Sequence, residues 1–373
     1  MGIKPRHLAT LILLLLTVIV YDSCNAIRST GRIPAGEHLK GIAALANYDS
    51  LYGFRNLDTA GQQKPRKINP LRILTWSLRS KPAYVTPDHE LPWVKADLNA
   101  LPADTPTVVW FGHSSFLLKT KQGNILADPQ FSGFTGPFSW MIKPYHGSDE
   151  YKTKDMPVID VLIISHDHYD HLDMGTVVKL KDKVKRVVVP KGVGSHFIHW
   201  GYDPKIITEL NWDESASTTS GIKITATPAR HRSGRVFKGN RTLWASYVID
   251  AGGRKVFFSG DTGYGTHFKK IGDKYGPMDL AMIECGQYND NWKTTHMHPS
   301  QSVQAVIDLK AKTAIPVHWA KFAEAYHPWD EPVRLFLKSA DSLKQAVSVP
   351  MLGEPYVIGS KPKLDPWWDE SWH

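Results

Sequence analysis

The stretch VLIISHDHYDH, residues 161–171, joins an apolar run directly to a cluster of polar side chains. The run Val161 to Ile164 follows Pro157, and its β-branched residues predict a buried strand of an α/β sheet. The polar residues then lie in the loop at the carboxyl end of that strand, where open α/β sheets place their ligand sites. This stretch therefore predicts both a sheet and a functional loop attached to it.

The loop carries four side chains of types that bind metal ions: His166, His168, Asp170 and His171. Neutral imidazole and carboxylate groups suit zinc and similar ions. A single histidine at a strand end is more often hydrogen-bonded or solvated than bound to a metal. The pattern His-x-His-x-Asp-His, however, favours a metal site over a solvated polar loop, and ligands this close together can serve two neighbouring ions.

A His-x-His-x-Asp-His pattern after an apolar strand resembles the metallo-β-lactamase fold, whose dinuclear members take three further ligands from downstream. Candidates for these ligands are His231, Asp261 and His318. Asp261 and His318 follow the strand-like runs 256–258 and 314–317. The resemblance implies an α/β protein with an αββα sandwich and with its metals at one edge of two packed sheets.

The same resemblance implies a centre of two zinc ions held by seven side chains. One ion is assigned to His166, His168 and His231, the other to Asp170, His171 and His318, and Asp261 is expected to bridge the two. Two ions close together activate water and neutralise the charge that grows on a phosphoryl group.

Asp261 and His296 are the two residues that we expect to act in catalysis. His296 is the first residue of the stretch 296–299. It matches the position of a histidine that lies beside the phosphate in the family that this chain resembles. As a hydrogen-bond donor it would stabilise developing negative charge or assist the leaving oxygen. A structural hydrogen bond is the alternative role for His296, and a structural role is preferred for His113 and His298.

Within this superfamily the chain looks most like the phospholipase D that hydrolyses N-acylphosphatidylethanolamine. The matching stretches include 110–113, 128–132, 260–264 and 317–319. The resemblance implies a phospholipid or other phosphodiester substrate and contact with a membrane surface. Two alternatives stay open, namely an exported lactonase or other small-metabolite hydrolase and a non-catalytic envelope protein that binds metal structurally. A homodimer is compatible with each.

The first 26 residues predict a signal peptide or membrane anchor. Lys4 and Arg6 precede the uncharged run Leu8 to Val20, which is short for a membrane span. Cleavage after Ala26, acylation of Cys24 and retention as an anchor are three alternative outcomes. Each predicts an exported protein, periplasmic or membrane-associated. This export signal and the lack of a recognisable nucleic-acid module argue against a nucleic-acid partner.

Length and composition predict a large buried core, since the chain has 373 residues of which 42% are hydrophobic. Residues 27–105 carry many prolines and basic side chains and predict an irregular N-terminal extension. Residues 106–373 alternate strand and helix patterns and predict the catalytic domain. Within it, Cys285 is expected to be a buried thiol, and Ser300 is expected to cap a helix.

Overall fold

The computed structural model describes residues 22–57, 81–235 and 239–369, together with the isolated positions 7, 17 and 20. Most of the predicted signal or anchor segment, 1–26, lies outside the described residues, as does the stretch 58–80 of the predicted extension. Among the helices in the described ranges, none is long and apolar enough to cross a bilayer. The predicted division at residue 105 stays a prediction.

The described part of the predicted extension contains some regular structure. It forms a helix, α1 (Gly36–Ala43), and a two-stranded antiparallel sheet of β1 (Tyr48–Asp49) and β2 (Gly53–Phe54). Phe54 and Ile42 are buried with Leu243 and Trp244, which come from much later in the chain. Apolar contacts of this kind attach the N-terminal region to the body of the protein.

The first large sheet has seven strands. In chain order it begins with β3 (Thr107–Trp110), β4 (Phe116–Thr120), β5 (Gly123–Ala127), β6 (Val161–Ile163), β7 (Val187–Pro190) and β8 (Ile207–Leu210). The strands from β3 to β5 pair antiparallel, whereas those from β5 to β8 pair parallel. The predicted buried strand before the histidine loop is β6, near the middle of this sheet.

The second large sheet has six strands in the spatial order β14-β13-β12-β11-β10-β9. They are β9 (Ser215–Ser217), β10 (Lys223–Thr227), β11 (Ser246–Ala251), β12 (Arg254–Phe258), β13 (Leu280–Glu284) and β14 (Ala314–Val317). The strands β12, β13 and β14 run parallel, so their carboxyl ends share one edge. The last strand, β15 (Pro355–Val357), returns to the first sheet and pairs with β3.

The two sheets pack face to face. Phe116 of the first sheet and Phe258 of the second meet edge to face, with their ring centroids 5.1 Å apart. On the outer face of the first sheet, Val177 and Phe197 pack against Leu162. The helices, from α2 on in chain order, are Met174–Leu180, Gly194–His199, His267–Tyr275, Pro299–Asp308 and Glu331–Ser342 (α2 to α6).

This layering confirms the predicted αββα sandwich and corrects one local prediction. Cys285 is buried, as expected. The expectation that Ser300 caps a helix is wrong, because α5 begins at Pro299 and its N-cap is His298. The Nδ1 atom of His298 accepts a hydrogen bond from the Ser300 backbone N–H, so His298 takes the capping role in place of a hydroxyl.

Candidate metal centre

The loops that carry the predicted ligands meet at one edge of the sandwich. His166 comes three residues after β6 ends at Ile163, Asp261 follows β12, and His318 comes directly after β14. Because these strands belong to parallel pairs in two packed sheets, their carboxyl ends bring the loops together. His231 arrives in the same place from the loop after β10.

The first cluster consists of His166, His168, His231 and Asp261. Nδ1 of His168 lies 2.8 Å from Nε2 of His166 and 3.2 Å from Nε2 of His231. Oδ2 of Asp261 lies 3.8 Å from Nε2 of His166 and 3.7 Å from Nε2 of His231. Three imidazole nitrogens and a carboxylate oxygen therefore face a common point, with one atom of each residue within 4.8 Å of the others.

The second cluster consists of Asp170, His171 and His318, again with Asp261. Nε2 of His171 lies 3.1 Å from Oδ2 of Asp170 and 3.1 Å from Oδ1 of Asp261. Nε2 of His318 lies 3.1 Å from Oδ1 of Asp261 and 3.6 Å from Oδ2 of Asp170. Asp261 thus turns one oxygen to each cluster, which is the placement expected of a bridging carboxylate.

The donor atoms of these residues are arranged to bind metal ions and do not hydrogen-bond fully with one another. Nε2 of His171 and Nε2 of His318 each lie 3.1 Å from Oδ1 of Asp261, but the angles do not suit a hydrogen bond. These three buried atoms therefore have no hydrogen-bond partner in the part of the chain that the structure describes. Buried polar atoms nearly always have partners, so three adjacent exceptions need an explanation. Imidazole and carboxylate donors of this kind, grouped around two points, suit a pair of metal ions.

A further layer of hydrogen bonds fixes the rings of the histidines that are candidate ligands. Asp128 Oδ2 lies 2.6 Å from Nδ1 of His171 and accepts the hydroxyl of Ser165 at 2.5 Å. Ser165 Oγ in turn lies 3.0 Å from Nδ1 of His166. Nδ1 of His231 donates to the carbonyl of Thr295 at 3.0 Å. Contacts on the far side of an imidazole set its orientation and its basicity toward a metal.

The two clusters differ in their protonation. Burial lowers the pKa of His168 to about 4, and burial with nearby positive charge holds the pKa of His166 and His231 well below 6.5. In the second cluster burial also lowers the pKa values, but the Asp261 and Asp170 carboxylates outweigh it and raise those of His171 and His318 well above 6.5. The first cluster is therefore ready to bind metal at neutral pH, whereas the second must release protons.

Asp167 and Tyr169 alternate with the ligands and take up structural positions. Oδ1 of Asp167 accepts the Gly234 backbone N–H at 2.6 Å, and its Oδ2 accepts the Thr242 hydroxyl at 2.8 Å. The Tyr169 hydroxyl donates to the carbonyl of Arg235 at 2.9 Å. Both side chains thus connect the histidine loop to the segment after His231 instead of to the metal clusters.

An open cleft of about 190 Å³ lies over both clusters. Its lining consists of His168, Asp170, Arg232, Asp261, Gln287, Trp292, His296, His318 and Glu324. His296 is among them, and its ring centroid lies 5.1 Å from that of His231 and 5.2 Å from that of His318. The predicted catalytic histidine therefore stands beside both clusters and faces the space that a substrate would enter.

The structure also brings His113 to the centre, although the sequence favoured a purely structural role. Its Nε2 lies 3.7 Å from Oδ2 of Asp170, and its ring centroid lies 4.3 Å from that of His318. Its backbone carbonyl accepts the His318 N–H at 2.9 Å. This side chain is fully buried, and burial holds its pKa well below 6.5. The available signal was its position just after a strand, at the same edge as the candidate ligands.

Two acidic residues near the cleft were not anticipated. Glu284, the last residue of β13, is fully buried, and its Oε2 lies 3.2 Å from Nδ1 of His296. Glu324 lines the cleft with its Oε2 3.4 Å from Nε2 of His113. Burial, with the nearby Asp170 carboxylate, raises the pKa of Glu324 to about 8. Glu284 had the signal of an acid at the end of an apolar strand.

Comparisons with known sequences identify relatives of this chain. A profile of the β-lactamase superfamily domain matches residues 123–319. A protein of Mycobacterium tuberculosis described as uncharacterized is 35% identical over 319 residues, which cover 84% of this chain and 85% of that protein. The N-acyl-phosphatidylethanolamine-hydrolyzing phospholipase D 1 of Caenorhabditis elegans is 31% identical over 254 residues, which cover 63% of this chain and 68% of the worm protein.

The architecture also has counterparts among solved structures. Igni18, described as a novel metallo hydrolase from the hyperthermophilic archaeon Ignicoccus hospitalis, aligns with a TM-score of 0.54 and 20% sequence identity. The alignment covers 69% of this chain and all of Igni18, 100%. At this level of identity the likeness shows the fold alone.

Proposed function

This chain belongs to the β-lactamase superfamily and is a metal-dependent hydrolase of the metallo-β-lactamase fold, and from that premise we propose that it is a phospholipase D-like phosphodiesterase. Its proposed substrate is N-acylphosphatidylethanolamine or a related lipid, and its proposed cofactor is a pair of zinc ions. The observation that carries the proposal is the position of Asp261 between two ligand clusters beneath an open cleft.

The ligand sets support a dinuclear centre. His166, His168 and His231 would hold one zinc ion, and the second cluster would hold the other. Asp261 has one carboxylate oxygen beside each cluster and would contribute to both sites. A closed structural site surrounds its ion with protein ligands, whereas this centre borders a cleft and so leaves room for a substrate. When bound, two zinc ions would supply Lewis acidity and lower the pKa of a water molecule.

The choice of a phosphodiester rests on the relatives and on the cleft. The worm relative, 31% identical, is named for hydrolysis of N-acyl-phosphatidylethanolamine. Arg232 contributes a cation to the cleft lining and Trp292 an aromatic surface, which together suit an anionic group that carries an apolar substituent. A cleft of about 190 Å³ suits the headgroup region of a lipid, with the acyl chains left outside.

The chain's own residues would position the reactants. The cleft lining would orient the phosphodiester with its phosphorus near Asp261, and His296 would approach the leaving oxygen. Water adds its hydroxyl to phosphorus, the P–O bond to the alcohol breaks, and the departing oxygen takes a proton from His296. The remaining proton of the water restores the histidine, so that one water molecule is consumed in each turnover.

The proposed place of action is outside the cytoplasm, at a membrane surface. Support comes from the basic and apolar pattern of residues 1–26 and from the net charge of +9, which favours anionic headgroups. Cys24 and Ala26 mark the two alternative processing points in that segment. Mass spectrometry of the protein from a membrane fraction would distinguish cleavage, acylation and retention.

An assay of lipid turnover tests the proposed activity. Full-length protein with added zinc should convert N-acylphosphatidylethanolamine in mixed micelles to phosphatidic acid and N-acylethanolamine. His231→Ala should lose this activity, whereas His38→Ala should keep it, because His38 pairs with Glu209 away from the cleft. Turnover of lactones without turnover of any phosphodiester would overturn the proposal and favour the small-metabolite hydrolase instead.

A further inference from the structure

A buried carboxylate stands directly behind His296. Glu284 ends β13, and its side chain is 0% exposed, whereas that of His296 is 14% exposed toward the cleft. Oε2 of Glu284 lies 3.2 Å from Nδ1 of His296. A carboxylate behind an imidazole fixes which ring nitrogen faces outward, as in catalytic triads.

Both oxygens of Glu284 are engaged by the protein. Oε1 accepts the Met297 backbone N–H at 2.7 Å, while Oε2 faces His296. The glutamate therefore holds the ring and the backbone next to it. Glu284 therefore differs from His171, His318 and Asp261, whose buried atoms have no hydrogen-bond partner in the described structure.

We infer that Glu284 is a positioning residue that holds His296 with Nε2 directed into the cleft. The inference rests on the proposed function, since it assigns His296 the delivery of a proton to the leaving oxygen. In that step the P–O bond to the alcohol breaks and its oxygen gains a proton from Nε2. Glu284 does not touch the substrate, so its effect on the reaction passes through the histidine.

A double-mutant cycle separates this role from simple structural support. We expect His296→Ala and Glu284→Ala each to lower kcat on an alkyl phosphodiester by about 100-fold, with KM little changed. The double variant should be no slower than either single variant, because the glutamate acts only through the histidine. Multiplied losses in the double variant would overturn the inference.

Leaving-group dependence gives a second readout. A nitrophenolate leaves without a proton, whereas an alkoxide needs one, so both variants should lose less than about tenfold on a nitrophenyl phosphodiester. Glu284→Gln keeps the size of the side chain and can still accept the Met297 backbone N–H. This variant should therefore fold even if Glu284→Ala does not. Equal losses on the two ester types would contradict the assignment. Glu209→Gln, which changes the remote partner of His38, is the matched control and should lose nothing.

Two measurements that require no turnover test the pairing of Glu284 with His296 whatever the substrate is. The downfield N–H resonance assigned to Nδ1 of His296 should be present in the wild type and absent from both His296→Ala and Glu284→Ala. Zinc content should be unchanged in Glu284→Gln; a loss of zinc would show that Glu284 is a ligand and overturn the inference. If the resonance and zinc behave as expected but the wild type cleaves no phosphodiester, the proposed function fails and the pairing of Glu284 with His296 stands.

Discussion

Oδ2 of Asp128 lies 2.6 Å from Nδ1 of His171, and both side chains are fully buried. Asp128 directly follows β5, and His171 lies in the loop after the neighbouring parallel strand β6. This contact fixes the His171 ring so that its Nε2 faces Asp170 and Asp261. The geometry of the second cluster therefore depends on a residue that does not belong to it.

Asp128→Asn should weaken metal binding without removing a ligand. The amide preserves size but loses the charge that orients His171 and increases its basicity, so metal affinity should fall by about 10- to 100-fold. Competition with a chromogenic chelator measures this affinity. The matched control is Asp279→Asn, since Asp279 precedes β13 at the opposite end of that strand and pairs with Lys312. Equal affinities in wild type and Asp128→Asn would contradict the role given to Asp128.

Gly260→Ala should destabilise the protein more than Gly253→Ala. Both glycines have positive φ, +53° and +71°, so both variants carry a backbone cost of about 1–2 kcal/mol. A Cβ at Gly260 would lie 2.5 Å from that of Ser165, whereas a Cβ at Gly253 would meet nothing within 4 Å. The clash should add about 1–3 kcal/mol to the loss in unfolding free energy. Denaturant titration measures both values, and equal losses would contradict this packing account.

Metal retention should depend on pH differently at the two clusters. In the apo protein the pKa values of His171 and His318 are raised well above 6.5, so protons compete with metal there as pH falls through neutrality. The pKa of His168 is about 4, so competition in the first cluster begins only near that pH. We expect one ion to leave first on acidification, with the second retained to lower pH.

Equilibrium dialysis against zinc between pH 8 and pH 4 would follow this loss. His318→Ala removes a second-cluster ligand and should abolish the earlier step only. A single step that releases both ions together would contradict the difference in protonation between the clusters.

The position of the candidate ligand loops at strand ends was predictable from the sequence because its signals are local. Each loop combines an apolar run that forms a strand with a polar residue at its carboxyl end, as at His166, Asp261 and His318. The parallel pairing of these strands then brings the loops to one edge. Residue types and strand order sufficed for that part of the αββα fold, and the ligand assignment itself stays a prediction.

Other features depend on contacts between distant parts of the chain. His113 reaches the centre through backbone hydrogen bonds to His318 and Trp319, which no local pattern indicates. Glu284 completes a strand that looks entirely apolar up to Ile283, and its partner His296 lies in a separate loop. The prediction that Ser300 caps a helix was wrong for a different reason. The residue before Pro299 is a histidine, and its ring nitrogen takes the capping role that a hydroxyl usually has.

Zinc stoichiometry in the wild type and in Asp261→Ala tests the central claim most directly. Protein stripped with chelator, reloaded and freed of excess zinc should contain two ions per chain by atomic emission. Asp261→Ala should lose affinity for both ions, because the carboxylate that it removes faces both clusters. Circular dichroism would check that this variant is folded. A wild type that binds one ion or none, or an Asp261→Ala variant that still holds two as tightly, would contradict the bridged dinuclear centre.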